Sequence, residues 1–428
     1  MRRLVVLGIL VYLLLILGLA TLKSGLVALA IPAVVYLIIA ITYAPERLHV
    51  KVARTVSTDR TSADTPVVVR LSVTNIGPAL EQCTFEDTVP SGLRVVEGRP
   101  RIAAALGPGA TLEWSYTVKP GRGLFDFGSV CVSASDHLGL AQRRAVLDAP
   151  GHLTVLPDLF RLRRMGIRPL RTRAHAGPVP ARLGGSGIDF FGVREYQPGD
   201  PRRWINWRAS ARHPAALYTN EFQQERIADV GLMLDARSRH DVRGRGHSLF
   251  EHSIRATASL ADLFLRDGNR VGLLVFGQYL DWTFPGYGKV QRERMLQALA
   301  RARPGESQVF DSLENVPTRF FPAHSQLVLV SPLSRDDLPV LLRLRGRGYQ
   351  LLVIRPDPVA YELQGLQPSR SVELAERILH AERALVRRGL QQAGVQVVDW
   401  LVDRPFDQVV HSSLGRVPQW FRALGVQA

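Results

Sequence analysis

Residues 190–214, FFGVREYQPGDPRRWINWRASARHP, concentrate the side chains of this chain that could do chemistry. Two tryptophans and several arginines surround a Pro-Gly-Asp sequence. Guanidinium groups and indole rings can fix an ion-pair network, dock a protein or bind nucleic acid. The interleaved carboxylates Glu195 and Asp200 argue against nucleic acid, because they would repel its phosphates. We therefore expect a structural or protein-docking region and no nucleic-acid partner.

The same stretch predicts a turn followed by a helix. Pro198-Gly199 suits the centre of a type II turn, since proline presets one dihedral and glycine supplies the positive one. Asp200 before a proline is typical of a helix start, and the helix would run from about Pro201 to Arg212. Tryptophans three residues apart would then share one face of it. The residues expected to form the docking region or its structural core are Arg194, Glu195, Tyr196, Pro198, Gly199, Asp200, Arg203, Trp204, Trp207 and Arg212.

Asp235 is a second candidate, because it ends the buried-strand pattern RIADVGLMLD. Strand and helix patterns alternate after it, which predicts a parallel sheet covered by helices on both faces. Ligands of such sheets bind at the carboxyl ends of the strands. Asp235 and the nearby Ser238 are expected at that edge.

The segment GSGIDFFGVREYQPGDPRRWINWRASARHPAALYTNEFQQER, from Gly185 to Arg226, closely resembles the defining motif of the domain of unknown function 58 (DUF 58). A second segment, GRGLFDFGSVCVSASDHLGL from Gly121 to Leu140, is similar to the family sequence that precedes this motif. The resemblance implies a membrane-anchored protein with a von Willebrand A-like, Rossmann-like domain. It also implies a MoxR-type AAA+ ATPase as partner and a role in the assembly or maturation of protein complexes.

A von Willebrand A adhesion site holds its metal with the sequence Asp-x-Ser-x-Ser after the first strand. Magnesium needs that carboxylate and those hydroxyls among its oxygen ligands. Here the sequence is Asp235-Ala-Arg237-Ser238-Arg239, so arginines stand where both hydroxyls are required and Ser238 is out of phase. We expect a degenerate site without magnesium or another cofactor. Asp235 would pair with Arg237, with Arg239 or with a basic group of a partner.

The sequence carries none of the common catalytic patterns. It has no Gly-rich phosphate loop, no His-Glu-x-x-His and no paired-cysteine zinc spacing. A GGSG sequence around Ser186 lacks the preceding strand that a Gly-x-Ser-x-Gly nucleophile elbow requires. The chain is therefore expected not to be an enzyme, with a catalytic site assembled from distant positions as an alternative.

Two apolar segments open the chain, Leu4–Leu19 and Leu26–Tyr43. Each approaches the roughly 20 residues of a membrane-spanning helix. We expect a transmembrane helical hairpin, embedded through residues 4–43. Basic residues precede the first segment and follow the second, which by the positive-inside rule predicts a multi-pass cell-membrane protein with cytoplasmic domains.

The expected fold class is multidomain. A hydrophobic content of 46% and a charged content of 21% are those of globular rather than disordered chains. About seven short alternating strands after the hairpin predict an antiparallel β-sandwich. The expected order is two transmembrane helices (1–45), the β-sandwich (46–160), a linker with the family motif (161–226) and the von Willebrand A-like α/β domain with a parallel sheet (227–428).

These observations favour a non-enzymatic, membrane-anchored scaffold or adaptor that recruits protein partners. One alternative is a metal-dependent adhesion-type receptor that uses a von Willebrand A site. Another is an enzyme with a dispersed site.

Overall fold

The computed structural model describes residues 2–22, 24–42, 48–135, 142–162, 179–212, 215–226, 228–244, 247–315, 317 and 320–414. At 2–5, 40–42, 179–189, 191 and 222–226 it describes the backbone alone. The chain divides into two compact units, Met1–Leu156 and Pro157–Ala428. Within the predicted linker and motif region, 161–226, residues 163–178 and 213–214 lie outside the described residues.

Two helices open the chain, α1 (Arg2–Thr21) and α2 (Ser24–Thr42). Within the part of the chain that the structure describes, no helix is long and apolar enough to cross a membrane. The expected fold class is therefore wrong in its transmembrane hairpin through residues 4–43, and the multi-pass cell-membrane location with cytoplasmic domains is wrong with it.

Two β-sheets make up the rest of the first unit. A four-stranded sheet has the order β1-β3-β7-β5, and a five-stranded sheet has the order β2-β9-β8-β4-β6. Neighbours are antiparallel except for the short parallel pair of β2 and β9. The strands are β1 (Val50–Val56), β2 (Arg60–Ser62), β3 (Val67–Asn75), β4 (Leu80–Asp87), β5 (Leu93–Gly98), β6 (Arg101–Leu106), β7 (Thr111–Pro120), β8 (Gly123–Ser135) and β9 (Gln142–Leu156).

Alternation along the strands builds a single core from both sheets. Val67, Val69, Leu71 and Val73 of β3 all point inward, because successive side chains of a strand face opposite sides. They share one cluster of buried apolar side chains with residues of the five-stranded sheet, such as Phe85. Each sheet thereby buries one face against the other.

A buried ion pair links strands of the two sheets. Arg54 on β1 donates to the carboxylate of Asp87 on β4 and to the carbonyl of Ala149 on β9. Both charged side chains are fully buried. The hydroxyl of Tyr116 on β7 donates to Asp87 Oδ2 at 2.6 Å, and burial together with this bond raises the pKa of Tyr116. The Arg54 guanidinium also lies 5.0 Å from the centre of the Phe127 ring.

The second unit is built on a six-stranded sheet with the order β14-β13-β12-β15-β16-β17. Its neighbours are parallel except for the edge strand β14, which is antiparallel to β13. Strands β12, β13, β15 and β16 are buried along nearly their whole length, as expected for strands covered on both faces. The strands are β12 (Asp229–Asp235), β13 (Arg270–Phe276), β14 (Leu280–Gly286), β15 (Gln326–Val330), β16 (Gln350–Pro356) and β17 (Gln396–Trp400).

Six helices of the described chain alternate with these strands. They are α4 (Leu249–Arg266), α5 (Gly288–Arg301), α6 (Leu338–Gly346), α7 (Pro358–Leu363), α8 (Arg370–Gln392) and α9 (Phe406–Leu414). Upstream of the sheet, β10 (Val179–Glu195) and β11 (Tyr218–Arg226) form an antiparallel ribbon, with the short helix α3 (Trp207–Ser210) between them. The strand order reverses direction between β12 and β15, which opens a crevice at their carboxyl ends.

The buried Arg54–Asp87 pair gives a stability prediction. Asp87→Ala leaves the guanidinium buried without its counter-charge, so we expect a loss of about 3–5 kcal/mol in the free energy of unfolding, measured by urea unfolding of the full chain. Asp126→Ala is the matched control, because the Asp126–His152 pair is exposed and should contribute at most about 1 kcal/mol. Equal losses from the two variants would contradict a special role for the buried pair.

Candidate functional site

The crevice between β12 and β15 places Asp235 beside Ser331. Asp235 ends β12, and Ser331 follows β15, whose Val330 is in register with Leu234. The Ser331 hydroxyl donates to Asp235 Oδ2 at 2.5 Å, and both side chains are buried. His240 Nδ1 lies 2.7 Å from the same carboxylate oxygen. Asp235 therefore forms the floor of a polar site at the sheet edge where ligands of parallel sheets bind.

The guanidinium of Arg237 lies between two carboxylates. Towards Asp235 it donates from Nε to Oδ1 at 2.9 Å and from Nη2 to Oδ2 at 2.7 Å. Towards Asp337 it donates from Nη1 to Oδ1 at 3.0 Å and from Nη2 to Oδ2 at 2.9 Å. A further bond reaches the carbonyl of Asp311 at 2.7 Å. Arg237 is only 3% exposed, so its planar fork is almost completely used inside the protein.

Asp337, like Ser331 and His240, contacts this site although none of the three was among its predicted residues. It is held by Ser334, whose backbone N–H and hydroxyl donate to Asp337 Oδ2 at 2.9 and 3.0 Å just before α6. Ser334-x-x-Asp337 is a capping pattern, and such a pattern marks a helix start in the sequence. The pattern locates the carboxylate at a helix start, but it does not say that Arg237, 100 residues away, would reach it.

Electrostatics keep the site charged. Burial by itself would raise the pKa of Asp235, but the hydrogen bonds and charges of His240 and Arg237 outweigh it and hold that pKa well below its usual range. Burial would likewise lower the pKa of Arg237, whereas its bonds to Asp235 and Asp337 raise it. The buried cation and its carboxylate partner are therefore both ionised at neutral pH.

The side chains at this edge do not fit a divalent cation. Magnesium would need carboxylate oxygens that are free to coordinate it, together with hydroxyl or water oxygens. Both oxygens of Asp235 and of Asp337 already accept hydrogen bonds from Arg237, whose positive charge lies between them. Among the described residues, no group of three or more His, Cys, Asp or Glu side chains is arranged to hold a metal.

Ser238 and Arg239, the last two residues of the degenerate Asp-Ala-Arg-Ser-Arg sequence, bond to other residues than Asp235. Ser238 donates to Glu306 Oε1 at 3.0 Å, and Arg239 donates to the Asp311 carbonyl at 2.9 Å and to its carboxylate at 3.3 Å. Of the two arginines expected as partners of Asp235, Arg237 takes that place and Arg239 pairs with Asp311 instead. These residues border an open cavity of about 520 Å³ that Gly305 and Ser307 also line.

The family motif forms a second, separate set of contacts around Asp200. The backbone N–H of Asp200 donates to the Gln197 carbonyl at 3.0 Å, and Gly199 has a φ of +109°, as the Pro-Gly pair predicts for a type II turn. Arg194 Nη2 donates to Asp200 Oδ1 at 2.7 Å, and this bond lowers the pKa of Asp200. Arg194 Nε also lies 3.6 Å from Oε1 of Glu221 on β11. Asp200 therefore fastens the turn to the ribbon and does not cap a helix.

The helix expected from Pro201 to Arg212 is wrong. A single 3₁₀ turn, Arg202–Trp204, is followed by Ile205 in an extended conformation that bridges to Thr219 of β11. The backbone N–H of Asn206 then donates to the Tyr218 carbonyl at 2.8 Å, and the Asn206 side chain caps α3 by accepting from Ala209 at 2.9 Å. Pairing with β11 thus overrides the local helix signal.

Because the expected helix does not form, the two tryptophans do not share one helix face. Trp204 is half-buried, with the Arg203 guanidinium 5.9 Å from its ring, whereas Trp207 is 69% exposed. Large apolar side chains and arginines of this region also face solvent. We define the basic ribbon surface as Trp207 together with these side chains, which are Phe190, Val193, Arg202, Arg203, Arg208, Arg212 and Leu217.

The predicted motif residues other than the half-buried Trp204 therefore divide into two groups. Arg194, Tyr196 and Asp200 contact one another around the turn, where the Tyr196 hydroxyl donates to the Asp200 carbonyl at 3.3 Å. The exposed members are Glu195, Pro198, Gly199, Arg203, Trp207 and Arg212.

Comparison with known proteins identifies a family domain in the second unit. Residues 192–395 match the family model described as "Protein of unknown function DUF58". The chain is also 30% identical over 199 residues to the uncharacterized protein YeaD of Bacillus subtilis (strain 168), covering 45% of this chain. It spans about half the length of that relative, 47%.

The similarities to solved structures are weak and support no argument about fold or function. A CARDB domain from Pyrococcus furiosus, crystallised with di-metal ions, is 12% identical with a TM-score of 0.20, and the match covers 26% of this chain and 96% of that one. The cupredoxin domain of amoB from Nitrosocaldus yellowstonii is 7% identical with a TM-score of 0.19, and the match covers 26% of this chain and 89% of that one.

The Arg237 fork gives a second stability prediction. Arg237→Ala leaves two carboxylates facing each other in a buried site, so we expect a loss of about 3–5 kcal/mol in the free energy of unfolding of the full chain. Arg239→Ala is the matched control, two residues away, and its half-exposed pair with Asp311 should contribute at most about 1 kcal/mol. A variant of Arg237 as stable as the wild type would show that the fork does not hold the crevice together.

Proposed function

We propose that this protein is a non-enzymatic scaffold or adaptor that recruits a protein partner through the basic ribbon surface. The observation that carries the proposal is the exposure of Trp207, 69%, among four exposed arginines. Tryptophan and arginine are the residues most enriched at the energetic centres of protein interfaces. An exposed indole ring in a segment with four exposed arginines fits a partner with an acidic surface, because complementary charge steers association.

The family resemblance supports a MoxR-type AAA+ ATPase as that partner, and with it a role in the assembly or maturation of protein complexes. Part of the basic ribbon surface, from residue 192 onward, lies inside the matched DUF58 region. The turn fastened by Arg194 and Asp200 supports the same role, since a docking surface on a fixed scaffold loses less entropy on binding than a mobile loop.

The strand order of the second unit resembles that of a von Willebrand A domain, with Asp235 at the carboxyl end of the first strand. A metal-dependent adhesion receptor is therefore the second candidate. Its cation would have to stand where the Arg237 guanidinium lies between Asp235 and Asp337. We propose that Arg237 substitutes for the metal, so that recruitment by this domain does not depend on a divalent cation.

The docking proposal predicts a loss of affinity on truncating Trp207. Binding of the purified full chain to a purified MoxR-type AAA+ ATPase from the same source would be measured by biolayer interferometry. We expect Trp207→Ala to raise the dissociation constant at least about tenfold, as for a central aromatic of an interface. Trp282→Ala is the control, because it removes an exposed tryptophan from the edge strand β14. Equal binding by the wild type and the Trp207 variant would exclude this surface.

The role of Arg237 predicts how metal binding could be restored. In a variant carrying both Arg237→Ser and Arg239→Ser, the oxygens of Asp235 and Asp337 are released and two hydroxyls are supplied. We expect 10 mM magnesium to raise the melting temperature of this variant by about 2–3 °C above its own metal-free value. The wild type should not respond. A wild-type protein that is stabilised by magnesium and loses its partner in EDTA would favour the adhesion receptor.

A further inference from the structure

Helix α8 carries an apolar stripe that the fold does not cover. In this fully described helix of 23 residues, Val386 and Leu390 are the buried side chains, and both lie near its C-terminal end. Leu374, Ile378 and Leu385 are 56%, 54% and 65% exposed. Such large apolar side chains in one row mark an interaction site rather than ordinary surface.

The spacing of the stripe is that of a coiled-coil seam. With the exposed Ala381, the apolar positions recur at intervals of four, three and four residues. This 3.5-residue period assigns Leu374 and Ala381 to d positions and Ile378 and Leu385 to a positions of two heptads. The polar Ser371 and Arg388 end the seam on either side. The stripe therefore offers four layers of side chains to a second helix.

The helix is already fixed by its own domain. Arg387 Nη1 donates to Asp399 Oδ2 at 3.2 Å, and Arg383 Nη1 donates to the Pro332 carbonyl at 3.2 Å. At the other end the Ser369 hydroxyl caps the helix by accepting from the Val372 N–H at 3.3 Å. A preformed helix does not have to be ordered on binding, so a seam of two heptads can associate although it is short.

We propose that this seam binds the same seam of a second copy of this chain as a parallel two-stranded coiled coil. The charged residues beside the seam favour a second copy of this chain as the partner. Arg377 occupies a g position and Glu382 the next e position, five residues later, and both are exposed. In a parallel pair each g residue faces the following e residue of the partner helix, which brings Arg377 and Glu382 of the two copies together twice. An antiparallel pair, in which g residues face g residues and e residues face e residues, would not bring Arg377 and Glu382 together.

The resulting contact is symmetric and small. Two copies related by a two-fold axis use the same residues, and a seam of four layers lies at the low end of interface sizes. A weak, concentration-dependent dimer with a dissociation constant in the micromolar range is therefore expected. The contact is independent of the basic ribbon surface, so it does not depend on the proposed scaffold function.

Sedimentation velocity of the purified full chain between about 1 and 100 µM would test the dimer, which the proposal expects over this range. Ile378→Glu should leave the chain monomeric, because it places a charge in the seam. Val290→Glu, at an exposed apolar position on helix α5, is the matched control and should leave the dimer unchanged. Circular dichroism of each variant confirms that the fold is retained. A wild type that stays monomeric, or a dimer that persists in the Ile378 variant, would overturn the proposal.

The direction of the helices has its own test. Arg377→Glu and Glu382→Arg should each weaken the dimer by about tenfold, and the two together should restore it. In a background with the exposed Cys131 changed to Ser, Ala381→Cys should form a disulfide between copies under mild oxidation, since d positions meet in a parallel pair. Single charge reversals that strengthen the dimer would contradict the parallel arrangement.

Discussion

The guanidinium of Arg237 between the carboxylates of Asp235 and Asp337 is the contact on which the second unit depends. It joins the end of β12 to the start of α6, and its fifth donor bond reaches the loop at Asp311. All of these groups except the loop carbonyl are charged and buried, so each is acceptable inside the protein only while the others are present. The loops at the carboxyl edge of the sheet are thereby tied to one side chain.

A covalently attached cation has different consequences from a bound metal. A metal leaves with chelation and keeps an open coordination position for a ligand, whereas a guanidinium remains in place and its donors are already used. The negative charge of the carboxylates at this edge of the sheet is therefore balanced by a side chain of the protein itself. A partner that meets this edge would find the outward-facing Ser238, Arg239 and Glu306 around the cavity rather than a vacant ligand position on a cation.

Arginine has two distinct uses in this chain. Arg54 and Arg237 are buried. Arg54 donates to one carboxylate and to backbone carbonyls, Arg237 donates to two carboxylates and one carbonyl, and both join segments that are distant in sequence. The arginines of the basic ribbon surface face solvent and contribute to the formal net charge of +16. Each buried arginine joins segments within its own unit, and the exposed group supplies the field that would attract an acidic partner.

Local patterns in the sequence determined much of the architecture around the sites. Alternation along β3 and the continuous apolar run of β12 reflect burial on one and on two faces, so both can be recognised without a structure. The Pro198-Gly199 turn was predictable because its dihedrals are set by those two residues alone. The place of Asp235 at a strand end followed from the same local logic.

Tertiary structure decided what depends on contacts between distant residues. The sequence left open whether Asp235 pairs with Arg237, with Arg239 or with a basic group of a partner. Only the pairing of β12 with β15 brings Asp337 to the other side of Arg237. The helix signal after Asp200 lost to β11, because Ile205 gains a strand partner in Thr219 that the sequence does not reveal. Hydropathy over a window predicted a transmembrane hairpin in the N-terminal segments, but no described helix is both long and apolar enough to cross a membrane. Local chemistry thus determined the elements and their turns, while long-range pairing determined which charges meet and where the helices end.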